Sequence, residues 1–76
     1  MVSREYIVKP RLNELLKERK ITQMQLSEMT GISQGAISRF DRNKQHIDVH
    51  LFMIADVLNV TIEELFDYHV QESLFE

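Results

Sequence analysis

Polar side chains with strong hydrogen-bonding capacity are concentrated between residues 33 and 44 of this 76-residue chain. A glutamine amide such as that of Gln34 can pair with N6 and N7 of adenine, and a guanidinium such as that of Arg39 can pair with O6 and N7 of guanine. Ser33 and Ser38 add short donors that suit either a base or a phosphate. Three more polar residues follow, Arg42, Asn43 and Lys44. The set favours contact with a nucleic acid, and an ordinary solvated helix surface is the simpler alternative.

Other chemistry has less support in the sequence. His46 and His50 are four residues apart, a spacing that could place two metal ligands on one helix. The helix is expected to start near Asp48, however, so the two need not share a face, and no third ligand is evident. There is no cysteine for a disulfide or a thiolate zinc site. Neither a nucleophile–histidine–acid set nor a glycine-rich phosphate loop can be proposed, so we expect no catalysis, metal or cofactor.

Two short helices must position the polar residues. Thr22 is suited to an N-cap, and Gln25 three positions later completes a capping box, which predicts a helix over residues 23–29. Gly31 can end that helix in the left-handed conformation. Ser33 then caps a second helix over residues 34–40. A short helix, a glycine turn and a second helix indicate a helix-turn-helix motif over about residues 22–41.

Further elements follow from local signals. Leucines at 12, 15 and 16 predict a first helix over residues 10–19, and apolar residues at 51, 54, 55 and 58 predict a fourth that is capped near Asp48. Thr61 and Glu64 form a second capping-box pattern and predict a fifth helix that ends near residue 67. Asparagine, the residue at position 43, tolerates a left-handed conformation. Residues 6–8 and 66–70 favour extended structure and could pair as a small sheet.

Charge is distributed unevenly along the chain. Residues 1–45 hold all nine Lys and Arg against five acids, a balance of +4, whereas residues 46–76 hold seven acids and no Lys or Arg, a balance of −7. The sum is the net charge of −3. Such asymmetry predicts one face that attracts phosphate, and chance segregation on a solvated surface is the alternative. No long apolar run is present, so we expect one cytoplasmic domain over residues 1–76, with residues 1–9 and 67–76 as arms.

The stretch from Gln23 to Arg42 resembles the DNA-binding motif of phage-repressor-type regulators, the Xre and Cro repressor family. The resemblance covers nearly all of the chain, and the matching positions are Thr22-Gln23, Leu26, Gly31-Ile32-Ser33-Gln34, Ile37-Ser38-Arg39, Ile54-Ala55, Leu58 and Thr61-Ile62-Glu63-Glu64-Leu65-Phe66. It implies an all-α, five-helix, lambda-repressor-like domain whose recognition helix, residues 33–40, enters the major groove of double-stranded DNA. It also implies a homodimeric transcriptional regulator, most simply a repressor.

The resemblance assigns particular residues as well. It implies that Gln23 contacts a phosphate and that Arg42, Asn43 and Lys44 continue along the DNA backbone. Gly35 stands where relatives often have a base-reading side chain, so either the backbone approaches DNA closely there or the position reads nothing. Leu16 replaces an arginine that in many relatives pairs with an acid after the third helix, so Asp41 is expected to lack that partner.

Two questions stay open from the sequence. Lys17, Arg19 and Lys20 could contact DNA or simply make the first helix soluble. The apolar residues Val49, Phe52, Met53, Leu74 and Phe75 could form a partner surface, or could be scattered exposed residues. The rival function is a protein-interaction module of the same fold, such as an antitoxin-like adaptor or a coactivator. No small-molecule ligand or membrane partner is evident.

Overall fold

The computed structural model describes residues 2–74, with side chains from Arg4 to Glu72. The helices are α1 (Leu12–Arg19), α2 (Gln23–Thr30), α3 (Gln34–Arg39) and α4 (Asp48–Leu58). Single 3-10 turns cover Phe40–Arg42 and Glu63–Leu65. Two strands, β1 (Val2–Pro10) and β2 (Phe66–Leu74), begin and end the described chain and pair antiparallel. The fold is therefore a helix-turn-helix domain with four α-helices and a two-stranded sheet.

The expected fifth helix is wrong. The backbone N–H of Glu64 does bond to the Thr61 hydroxyl at 3.2 Å, as the cap pattern predicts. The segment then makes only one 3-10 turn, because Phe66 is extended (φ −129°, ψ 149°) and starts β2. The Leu65 carbonyl accepts a bond from Arg11 N–H at 2.9 Å. The residues that would continue the helix are thus paired with the N-terminal segment as part of β2.

The helix-turn-helix itself is confirmed in its local details. The Thr22 hydroxyl accepts from Gln25 N–H at 3.0 Å, and the Gln25 side chain accepts from Thr22 N–H at 2.8 Å. Gly31 closes α2 at φ +79°, a conformation that glycine adopts without strain. The Ser33 hydroxyl caps α3 by accepting from Ala36 N–H at 3.2 Å. These contacts fix where α2 begins and ends and where α3 begins.

The first helix starts later than the sequence predicts. Pro10 is the last residue of β1, opposite Phe66, and α1 begins at Leu12. Its N-cap residue, Arg11, makes no side-chain cap. Instead the Asp41 carboxylate accepts from Leu12 N–H at 2.7 Å and from Asn13 N–H at 3.0 Å. The acid after α3 therefore bonds to the start of α1.

The structure differs from the sequence expectations at two local details. Asp48 is the first residue of α4 rather than its cap, which is Ile47, and the Asp48 carboxylate accepts from Val49 N–H at 2.7 Å. Asn43 is extended, with φ −84° and ψ 141°, because it ends a 3-10 turn that leads away from the helix. The left-handed non-glycine residues of the described chain are Lys20 and Asn59, which cap the ends of α1 and α4.

All four helices and both 3-10 turns contribute to one apolar core. Its buried members are Leu12, Leu15, Leu16, Leu26, Ile32, Ile37, Phe40, Ile54, Ala55, Leu58 and Leu65. Met53 packs against this core, whereas Val49 and Phe52 are exposed on α4. The Leu74 side chain and Phe75 lie outside the described part of the chain. No helix among residues 2–74 has the length and apolar content needed to span a bilayer.

The terminal strands are longer than predicted. The pairing of residues 6–8 with residues 66–70 is confirmed, with Tyr6 opposite Val70 and Val8 opposite Tyr68. The register runs without interruption from Val2 opposite Leu74 to Pro10 opposite Phe66. The described chain is elongated, with principal extents of 53 × 21 × 17 Å. Residues 2–10 and 66–74 thus form one antiparallel ribbon.

Candidate nucleic-acid interface

Helix α3 separates its apolar and polar residues onto two faces. Ile37 is 1% exposed in the core, and Ala36 packs against that core. The predicted DNA-contacting residues of this segment are all exposed to solvent, namely Ser33, Gln34, Gly35, Ser38 and Arg39. The buried face fixes the helix to the domain, so the exposed face is held at a set orientation. Such a face can donate hydrogen bonds to a macromolecular surface.

Gly35 and Arg39 are in contact on the exposed face of α3. A Cβ atom placed on Gly35 would lie 3.2 Å from Nη1 and 3.5 Å from Nη2 of Arg39. The guanidinium therefore lies back along its own helix, over the space that the glycine leaves free. The i, i+4 spacing of Gly35 and Arg39 is the sequence signal for this contact. The absence of a side chain at Gly35 leaves room for the Arg39 guanidinium, although glycine lowers helix propensity by roughly 1 kcal/mol relative to alanine.

The segment after α3 extends the cationic surface. Arg42, Asn43 and Lys44 are exposed, whereas the Asp41 carboxylate is turned inward to the start of α1. Among the residues with described side chains, the ion pairs are Arg4–Glu72 and Arg11–Glu14. Within that part of the chain, the cations of α3 and its following turn are thus not neutralised by a carboxylate. Arg39, Arg42 and Lys44 are all exposed and lie within six residues of the chain.

Gln23 begins α2, as predicted, but its side chain already has a partner. Its Nε2 donates to Asn13 Oδ1 at 2.9 Å, which joins the first turn of α2 to the first turn of α1. Asn13 was not a predicted site residue, and nothing in local spacing indicates a contact across ten positions. The start of α2 remains a suitable anion site, because the first N–H groups of a helix point outward and carry partial positive charge.

His46 has a structural contact rather than a ligand-like one. Its Nε2 lies 2.8 Å from the Phe40 carbonyl oxygen, and its ring centroid is 4.1 Å from that of Phe40 and 5.6 Å from that of Phe66. The residues with described side chains contain no group of three His, Asp or Glu that could hold a metal ion. His46 thereby ties the turn after α3 to the base of the sheet.

A family model for the Cro/C1-type HTH DNA-binding domain matches residues 11–71. That span runs from the residue before α1 into β2 and contains the whole helix-turn-helix. No curated protein matches the chain significantly.

Proposed function

The chain belongs to the Cro/C1-type helix-turn-helix DNA-binding family, and on that premise we propose that it is a sequence-specific regulator of transcription, most simply a repressor. In this proposal α3 enters the major groove of duplex DNA. The observation that carries it is the division of α3 into a buried apolar face and an exposed polar face. A helix fits the major groove, and the N-terminal residues of a recognition helix lie nearest the base edges.

Gln34 and Arg39 are the proposed base readers. Gln34 is the first residue of α3 and exposed, which suits a paired contact with adenine. Arg39 is the last residue of α3, and its guanidinium lies toward the start of the helix above Gly35. That position lets it reach guanine or a neighbouring phosphate. Ser33 and Ser38 are the shorter donors beside them.

The proposed phosphate contacts surround this helix. Arg42, Asn43 and Lys44 are exposed directly after α3, and Gln23 opens α2. Since the Gln23 side chain is bonded to Asn13, we assign the phosphate contact at α2 chiefly to backbone N–H groups. Such contacts determine the position of the protein on the duplex and its affinity, rather than its sequence specificity. Arg42 and Lys44 alone predict a slope of log K on log salt of roughly −2 per protomer.

The proposal is tested by selecting binding sites from a random duplex pool. Wild type is compared with Gln34→Ala/Arg39→Ala and with a matched control, Lys9→Ala/Gln71→Ala. The control also removes one cation and one amide, but from exposed positions on the sheet. Wild type and the control should enrich the same motif, and the α3 variant should enrich none.

Two results would contradict the proposal. Enrichment of the same motif by the α3 variant would show that another surface reads the bases. Failure of folded wild type to retain any duplex would refute DNA recognition by this chain and would favour the protein-interaction module. A palindromic motif would add support for a homodimer, because half-site symmetry follows protein symmetry.

A further inference from the structure

The sheet has one face that is mostly apolar and exposed. Opposed residues of an antiparallel pair lie on the same side, and alternate residues of each strand share a face. Tyr6 and Val8 of β1 therefore share a face with Val70 and Tyr68 of β2. Their exposed fractions are 66%, 52%, 42% and 48%, respectively. These four residues are called the ribbon face below.

The ribbon face is continuous with the core but extends beyond it. Phe66 has the same orientation at the base of β2, and its ring lies 6.1 Å from that of Phe40 and 5.6 Å from that of His46. Farther along the ribbon, the same side of the sheet has large apolar groups that face solvent. A two-stranded sheet is marginally stable by itself and normally needs a packed layer. The ribbon face therefore needs something to cover it.

The pattern of side chains fits a second copy of the same face. Tyr6 lies opposite Val70, and Val8 lies opposite Tyr68, so large and small residues alternate in a checkerboard. That pattern has two-fold symmetry about the sheet normal. Two such faces in a symmetric pair can place each ring over a valine, which is how well-packed layers interdigitate.

Charge also favours self-association at this face. Arg4 and Glu72 lie opposite each other beyond the checkerboard, and their side chains form an ion pair at 3.0 Å. Apart from the Glu63 carboxylate, which accepts from the Tyr68 hydroxyl at 3.2 Å, the ribbon face and its polar end are thus electrically neutral, whereas residues 46–76 as a whole have a balance of −7. Two copies can approach through the ribbon face with only one carboxylate per protomer, that of Glu63, in contact with the apolar residues of the face. An apolar centre with a polar rim is also the usual composition of an interface.

We propose that a second copy of this chain binds the ribbon face, sheet on sheet, to form a two-fold dimer. The ribbon face would then be the dimer surface of the proposed DNA-binding regulator. The inference rests on the proposed function only for the purpose of the dimer, not for its existence. The exposed parts of the four side chains amount to roughly 400 Å² per protomer, about half of the contribution to a standard interface. The dimer should accordingly be reversible and dissociate on dilution.

The test measures the oligomeric state of the free protein by sedimentation velocity over a range of concentrations, without DNA. Wild type should be dimeric at high micromolar concentration. Tyr6→Lys puts a charge on the ribbon face and should raise the dissociation constant at least tenfold. His69→Lys adds the same charge on the opposite face of the sheet and should leave dimerisation unchanged. Circular dichroism and thermal melting of both variants establish that they are folded.

A second measurement keeps the proposal testable if Tyr6→Lys unfolds the ribbon. Because the chain has no cysteine, Val70→Cys and His69→Cys each introduce a single thiol. A short bis-maleimide should link Val70→Cys into dimers and leave His69→Cys monomeric. Wild type that stays monomeric at high concentration, or linking of His69→Cys alone, would overturn the inference.

Failure here is distinguishable from failure of DNA recognition. Gln34→Ala/Arg39→Ala should dimerise like wild type, since α3 is not part of the ribbon face. A dimer that binds no DNA would refute the proposed function and leave the ribbon face supported.

Discussion

Asp41 provides the sharpest test of how this fold is held together. Its two carboxylate oxygens accept from Leu12 N–H at 2.7 Å and from Asn13 N–H at 3.0 Å. Removal of an N-cap acceptor costs typically about 1 kcal/mol, and hydrogen bonds to a charged group contribute about 1.5–3 kcal/mol. The two values describe overlapping effects, so Asp41→Ala should lower the free energy of unfolding by about 2 kcal/mol. Asp41→Asn retains one acceptor and should cost about half of that.

The assay is urea and thermal unfolding followed by circular dichroism. For a domain of this size, a loss of about 2 kcal/mol lowers Tm by roughly 8–16 °C. The matched control is Asp56→Ala, because Asp56 is exposed near the end of α4, where an acid does not favour the helix dipole. Its Tm should stay the same or rise slightly. If Asp41→Ala changed stability by less than about 0.5 kcal/mol, the range of ordinary surface substitutions, the cap would not be a structural element.

Three further predictions concern the exposed polar groups. Gly35→Ala should stabilise the chain by about 0.5–1 kcal/mol in urea unfolding. The added methyl group would lie 3.2 Å from Arg39 Nη1 and shift the guanidinium by a few tenths of an ångström, so DNA affinity should fall; unchanged affinity would contradict this. The pKa of Tyr68 is raised above 10.0 because its hydroxyl donates a hydrogen bond to the Glu63 carboxylate and because that carboxylate is negatively charged. The folded chain thus holds the Tyr68 proton more tightly than the unfolded chain. The stabilising effect of this hydrogen bond is complete below the pKa of the unfolded state and is lost as pH rises through the pKa of the folded state. In Glu63→Gln, ultraviolet titration should show the pKa of Tyr68 returning toward 10.0. Lys44→Ala should reduce the salt slope of DNA binding by about 1, and an unchanged slope would remove Lys44 from the interface.

The features that the sequence predicted best depend on contacts within a few residues. Thr22 with Gln25, Ser33 with Ala36 N–H and the left-handed Gly31 all lie inside a single turn of chain. Such signals are visible from spacing alone, which is why the helix-turn-helix was predicted correctly.

The features that were missed depend on residues far apart in sequence. Asp41 was expected to lack an arginine partner, but its role as the cap of α1 requires knowledge that the turn after α3 meets the start of α1. The bond between Gln23 and Asn13 likewise joins two helices. The prediction of a fifth helix was wrong for the same reason, because strand pairing between the two ends of the chain outweighed the local cap at Thr61. Local propensity is a weak prior where tertiary pairing competes for the same residues.

The most direct test of the central claim, that α3 is the surface that meets DNA, is an NMR titration of the labelled protein with a duplex. The account predicts that the largest amide shift changes lie in residues 33–44 and at the start of α2, and that they weaken as salt is raised. Changes confined to α4 or to the sheet, with α3 unaffected, would contradict it. In that case the polar face of α3 would be a solvated surface, and the search for the partner would turn to proteins.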